Sequence, residues 1–158
     1  MEIELKQLRK KAGMTQAEAA ERFNVSLRSY KIYENDASKQ DSIKYRYMLQ
    51  NLQELTKIDE EHGILAIEDI KTICSEVFLL YPVDFCYLFG SYAKGNATEK
   101  SDVDLLVSSA AKGLKFYGMV DRLKDSLKKN VDVLDVGQLN NNPDLLKEIL
   151  KDGIKIYG

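Results

Sequence analysis

A mostly apolar run that stops at a glycine limits what this chain can fold into. Val83-Asp84-Phe85-Cys86-Tyr87-Leu88-Phe89 leads into Gly90-Ser91, and after ten more residues comes Asp102-Val103-Asp104-Leu105-Leu106-Val107. The first run reads as a buried strand. A glycine at its end permits a tight turn and close approach of backbone to a ligand, and a helix beginning at Ser91 presents free N–H groups to an anion such as phosphate. Residues 102–107 read as a second strand. Successive side chains on a strand point to opposite faces, so Asp102 and Asp104 share one face and Val103, Leu105 and Val107 the other. Two neighbouring carboxylates repel unless a cation accompanies them. Beside a phosphate cradle that cation is Mg²⁺, which takes carboxylates together with substrate phosphates.

A third acid follows on Val131-Asp132-Val133-Leu134-Asp135-Val136. With Val131 and Val133 facing the core, parity turns Asp132 the other way, and Asp135 falls on the apolar face or at the strand end. Three acids around one or two divalent ions suit nucleotidyl transfer, because the metals stabilise both the attacking and the leaving oxygen. Asp132 is then expected beside the incoming nucleophile, as a metal ligand or as the base for its proton.

The G-S-x10-D-x-D spacing with a third Asp on a later strand resembles the DNA polymerase β-type nucleotidyltransferase superfamily. The short chain beyond it resembles the minimal nucleotidyltransferases, the antitoxin halves of HEPN/MNT toxin–antitoxin pairs. The resemblance covers roughly residues 66–158, including the tail from Asn142 to Gly153. It implies phosphate contacts at Gly90 and Ser91, and metal ligation and catalysis by Asp102, Asp104 and Asp132. It further implies Mg²⁺ as cofactor and ATP as substrate. The acceptor it implies is a tyrosine of a HEPN-type toxin, a ribonuclease that the added AMP silences. Many members carry Arg where this chain has Lys94. Lys94 can meet a phosphate as a point charge but without a bidentate grip.

Residues 1–60 have a different pattern. Ile3, Leu5 and Leu8 mark a first helix ending near Gly13. Thr15 with Glu18 three residues on forms a capping box for a second helix, which runs to about Phe23. Asn24 suits a left-handed turn. Ser26 can cap a third helix that runs to about Glu34, and Ser42 to Lys57 reads as a fourth. The stretch from Leu8 to Ala20, with Phe23-Asn24-Val25-Ser26 and Tyr33-Glu34-Asn35, resembles the phage-repressor (XRE, Cro/C1-type) helix-turn-helix family. This implies operator DNA as a partner, with the third helix entering the major groove. Leu27, Arg28 and Lys31 lie on its expected exposed face: Arg28 can read guanine, and Lys31 and Gln16 can reach phosphate. Tyr30, Tyr33, Tyr45 and Tyr47 are expected in packing.

The expected fold is thus an all-α helix-turn-helix domain (1–60) followed by an α+β nucleotidyltransferase domain (66–158). The latter has a small mixed sheet with its helices on one side, and residues 57–65 form the boundary. Net charge is −2, which excludes a wholly basic nucleic-acid coat; residues 1–60 carry about +1 and 61–158 about −3. Cys74 and Cys86 sit in apolar contexts and read as buried free thiols, and the single histidine, His62, as solvated surface. No apolar stretch reaches membrane-spanning length and no leader pattern is present, so a cytoplasmic protein without membrane partners is expected. The resemblance implies an antitoxin that also represses its own operon, as a homodimer or in a hetero-oligomer with the toxin. Two alternatives remain at this stage. One is a DNA-binding regulator with an inactive transferase domain. The other is a small-molecule nucleotidyltransferase, for which the roughly two dozen residues after the third Asp leave no expected acceptor-holding domain.

Overall fold

Helix boundaries in the first half follow the caps that the sequence supplies. In the computed structural model, which describes residues 3–158, the chain divides into two units, one ending at Lys57 and the other spanning Ile58–Gly158. The first contains α1 (Glu4–Lys11), α2 (Gln16–Arg22), α3 (Leu27–Asn35) and α4 (Ile43–Leu55). The Thr15 hydroxyl accepts from the Glu18 N–H, and the Glu18 carboxylate accepts from the Thr15 N–H at 2.7 Å. Asn24 takes φ 51°, turning the chain from α2 into α3. Ser26 and Ser42 cap α3 and α4. The helices close around Leu5, Ala19, Ala20, Tyr30, Tyr45, Met48 and Leu52. Tyr47, expected in packing, is instead 62% exposed, with its ring standing edge-on to Phe23.

One polar group lies inside this core. The Arg9 guanidinium pairs with the Glu34 carboxylate and also donates to the Met14 carbonyl at 2.7 Å. Gln16 donates its amide to the same carboxylate at 2.8 Å. Gln16, expected to reach a DNA phosphate, is thereby tied to the interior of its own unit. Burial alone would raise the Glu34 pKa, but the hydrogen bonds from Arg9 and Gln16 outweigh it and hold the carboxyl below its ordinary 4.5.

The second unit follows the order α5 (Ile67–Phe78), β1 (Val83–Phe89), α6 (Gly90–Lys94), β2 (Val103–Ser109), α7 (Leu114–Leu127), β3 (Val131–Asp135), α8 (Pro143–Asp152), β4 (Ile154–Tyr157). Its sheet has the order β3-β2-β1-β4. β1 runs antiparallel to β2 and β4, whereas β2 and β3 are parallel and joined through α7. On one face Cys86, Leu88, Val103, Leu105, Val107 and Val131 pack with Ile70, Cys74, Met119 and Leu123 of α5 and α7. The helices do not keep to that side. Phe89 and Leu106 point the other way and are buried with Leu139 and with Ile149 of α8. The reason lies in two adjacent pairs, Leu88-Phe89 and Leu105-Leu106. All four residues are buried, and neighbours on a strand face opposite sides, so both faces need cover.

Residues 58–65, expected as a boundary, are part of the second unit. Ile58 and Leu65 join its core, and the Gly63 N–H donates to Glu99. The Lys129 ammonium, 1% exposed, donates to the carbonyls of His62 and Glu99 at 3.1 and 2.6 Å. The His62 side chain itself is exposed and bonded to Asp59. Cys74 and Cys86 are free and buried. Among the described residues no helix is long and apolar enough to cross a membrane.

The Arg9–Glu34 pair generates a prediction. Removing one partner of a buried ion pair leaves an uncompensated charge, so Glu34→Ala is expected to destabilise the first unit by about 3 kcal/mol. In the wild type, the folded pKa of Glu34 lies below its unfolded value. Its contribution is therefore complete above 4.5 and is lost as the pH falls through the folded value. Thermal melts by circular dichroism from about pH 7 to about pH 3 check this; the acid-side loss should be smaller in Glu34→Gln.

Candidate active site

Three strands bring chemistry to one end of the sheet. β1 ends there, and β2 and β3 begin there. Phe89 pairs with Asp104 across β1 and β2, and Asp104 pairs with Asp132 across β2 and β3. Val103 and Leu105, like Val131 and Val133, face the α5/α7 core. Asp104 and Asp132 therefore share the reverse face on strands that run about 4.8 Å apart. Asp102 stands just before β2 and is exposed, as is Asp132, whereas Asp104 is half-buried.

Crowding among these acids is visible in Asp104. Burial, then the charges of Asp132, Asp102 and Glu148, push its carboxyl up to about 6, with Lys94 acting in the opposite sense. Gly90 lies directly against it. Gly90 has φ +71°, and a Cβ there would fall 2.0 Å from Asp104 Oδ2. The glycine is required both by its backbone conformation and by the carboxylate it faces. A glycine here is expected for close approach to a ligand; the nearest group in the structure is the protein's own Asp104. Gly90 opens α6, Ser91 follows it, and Lys94 ends the helix.

Lys94 does not stand free. Its ammonium lies 2.6 Å from Glu148 Oε1 on α8. Glu148 was not among the residues singled out from sequence. No local pattern marks it: its partner is remote in the chain, and only the docking of α8 on the reverse face brings the two together. Asp135, at the end of β3, caps the turn that follows by accepting from the Gly137 N–H. In the first unit, Leu27, Arg28 and Lys31 are exposed on α3 and line an open depression with Ile32, Asn35 and Asp36.

Among the described residues no three Asp, Glu, His or Cys side chains form a ready-made metal cage. The donors nevertheless fit Mg²⁺, which takes one or two carboxylates and completes its shell with substrate phosphates and water. Asp104 and Asp132 provide two such carboxylates in register, and a divalent cation would relieve the repulsion that adds to burial in raising Asp104.

Strand-end acids, a glycine turn and a short helix on a mixed sheet define a nucleotidyltransferase domain. Residues 68–158 match the family model described as polymerase beta, nucleotidyltransferase, and residues 5–42 match a helix-turn-helix model. The chain belongs to the polymerase beta nucleotidyltransferase family and carries a helix-turn-helix region ahead of that domain. It is 40% identical over 78 residues to a protein of Methanocaldococcus jannaschii named "putative protein adenylyltransferase", the match covering 48% of this chain and 79% of that one. Among solved structures it is similar to a toxin–antitoxin crystallised with AMP-PNP, at 22% identity and TM-score 0.48, covering 56% of this chain and 73% of the other. It is also similar to a chain from a complex of tri-AMPylated Shewanella oneidensis HEPN toxin with MNT antitoxin, at 20% identity and TM-score 0.41, covering 56% and 72%.

The electrostatics of Asp104 can be tested without any transfer assay. A carboxyl whose folded pKa is raised destabilises the ionised folded state, and does so increasingly as the pH rises through about 6. Asp104→Asn is therefore expected to raise the melting temperature of the metal-free second unit near neutral pH, on the order of 2–4 °C. Mg²⁺ should stabilise the wild type and not the variant. Calorimetric melts with and without Mg²⁺ read both effects.

Proposed function

We propose that this protein transfers AMP from ATP to a tyrosine hydroxyl of a HEPN-type toxin, in a Mg²⁺-dependent reaction, and that its helix-turn-helix unit binds operator DNA and represses the operon that encodes it. The observation that carries the transfer reading is the set of three strand ends: Gly90 open against Asp104, with Asp132 in register beside it. The relative named as a protein adenylyltransferase supports AMP transfer to protein. The residue-by-residue resemblance to minimal nucleotidyltransferases supports the toxin as acceptor.

In this reading Gly90 and Ser91 hold the triphosphate at the start of α6, and Lys94 adds a positive charge at its end. Asp102, Asp104 and Asp132 would hold the metal. Mg²⁺, when bound, neutralises the triphosphate and stabilises the attacking and leaving oxygens. The acceptor hydroxyl attacks the α-phosphorus, the bond to the β-phosphate oxygen breaks, and pyrophosphate leaves. In this reading Asp132, exposed near the start of β3, takes the hydroxyl proton. The reaction also requires the hydroxyl to be held in line with the α-phosphate at near-attack distance, and in this reading the toxin supplies that positioning.

Mass spectrometry of the toxin after incubation with the protein, ATP and Mg²⁺ should show a gain of one or more AMP groups. Asp132→Ala and the Asp102→Asn/Asp104→Asn double variant should reduce that gain at least about a hundredfold while remaining folded. Unchanged transfer by the folded double variant would remove the acids from the mechanism.

The DNA-binding half is tested separately. Arg28→Ala with Lys31→Ala should weaken operator binding by about tenfold or more and flatten its salt dependence, since each cation neutralising a phosphate steepens the dependence on salt. AMP transfer should be unchanged. Fluorescence anisotropy on the operator across a salt series measures the first effect.

A further inference from the structure

Glu148 is a charged group near the acids that takes no part in the proposed transfer. Glu148 sits on α8, next to Ile149, which is buried on the reverse face with Phe89 and Leu106. α8 is fixed at both ends. Pro143 opens it, and the Asn142 side chain accepts from the Leu145 N–H. At its far end a Cβ on Gly153 would fall 2.3 Å from the Ile149 carbonyl oxygen, so the chain leaves the helix in tight contact with it. Glu148 therefore projects from a rigid support, and its carboxylate meets Lys94 at 2.6 Å.

Lys94 needs such support. Its ammonium ends a flexible four-carbon stem that by itself fixes no direction for the charge. Three acids draw on it: Glu148 first, by a direct hydrogen bond, and at longer range Asp152 and Asp104. Released from Glu148, Lys94 would be drawn toward the other two. A shift onto Asp104 would be doubly damaging, because it would occupy a carboxylate assigned to the metal and withdraw the positive charge from the phosphate path. An Arg would grip a phosphate in a fixed geometry, whereas Lys is a point charge that depends on its surroundings for direction.

We propose that Glu148 is a positioning residue for nucleotide binding, holding Lys94 beside the acid cluster and off Asp104 so that the ammonium meets the triphosphate. This rests on the reading that the second unit binds a nucleoside triphosphate. Glu148 acts through Lys94, so its effect must vanish when Lys94 is gone.

The test is a double-variant cycle on the full chain, read by calorimetric binding of a non-hydrolysable ATP analogue with Mg²⁺ and by the steady-state KM for ATP. Glu148→Gln is expected to raise both the analogue Kd and the KM about five- to tenfold with little change in kcat, and Glu148→Asp to restore part of the affinity. In a Lys94→Met background, adding Glu148→Gln should change affinity by less than about twofold, the signature of coupled residues. The Lys94→Glu/Glu148→Lys exchange should keep the melting temperature yet bind the analogue no better than Lys94→Met, because the charge then stands on α8. Tighter binding by Glu148→Gln would overturn the proposal, making Glu148 a competitor for Lys94. An undiminished effect in the Lys94→Met background would also overturn it, reducing Glu148 to a structural part of α8. Wild-type protein that binds no analogue would overturn the nucleotide reading together with this proposal, whereas wild-type binding with an unaffected Glu148→Gln would overturn the proposal alone.

Discussion

The arrangement of the second unit depends on a contact between a carboxylate and a residue with no side chain. Asp104 Oδ2 occupies the place where any other residue at position 90 would carry its Cβ. This lets β1 end and α6 begin directly against the acid, and it seals one side of a carboxylate that Asp102 and Asp132 already crowd. The result is a concentrated negative charge at the mouth of a short helix. That state is unfavourable for the protein alone, and a divalent cation would relieve it. Strand parity makes it possible. Val103 and Leu105, with Val131 and Val133, anchor the strands from the α5/α7 side, and the alternate positions are free to carry acids.

The reverse face of the sheet then becomes more than a solvent side. Phe89 and Leu106 require apolar cover, and α8 supplies it through Ile149. Docking there brings Glu148 to Lys94, so a packing requirement of the sheet sets the charge balance around the acids. Between α6 and β2, the buried Lys129 ammonium donates to the carbonyl of Glu99, shortly before Asp102. Hydrophobic burial places the site, and a few ion pairs and hydrogen bonds fix the chain around it.

The first unit has its own logic. Its helices are delimited by local caps and closed on an apolar core, but Arg9 and Glu34 pair inside that core, and Gln16 is drawn to the same carboxylate. A buried ion pair contributes little net stability over an apolar replacement, yet it is costly to break. In this unit it links α1, the start of α2 and α3. The exposed side of α3, with Leu27, Arg28 and Lys31, takes no part in that core.

Much of this was legible in the sequence, for physical reasons that act locally. Caps at Thr15 and Ser26 and the left-handed turn at Asn24 depend on residues within a few positions of one another. The two-residue period alone put Asp104 and Asp132 on the face opposite their valine neighbours. Tertiary structure decided what no local pattern carries. It covered both faces of the sheet, because adjacent leucines in β2 cannot share one. It drew residues 58–65 into the second unit through Ile58, Leu65 and Lys129. It gave Gln16 to Glu34 and Lys94 to Glu148. Each of those pairings joins residues far apart in the chain, and a charged side chain finds its partner only when the burial of apolar groups elsewhere has brought the two within reach.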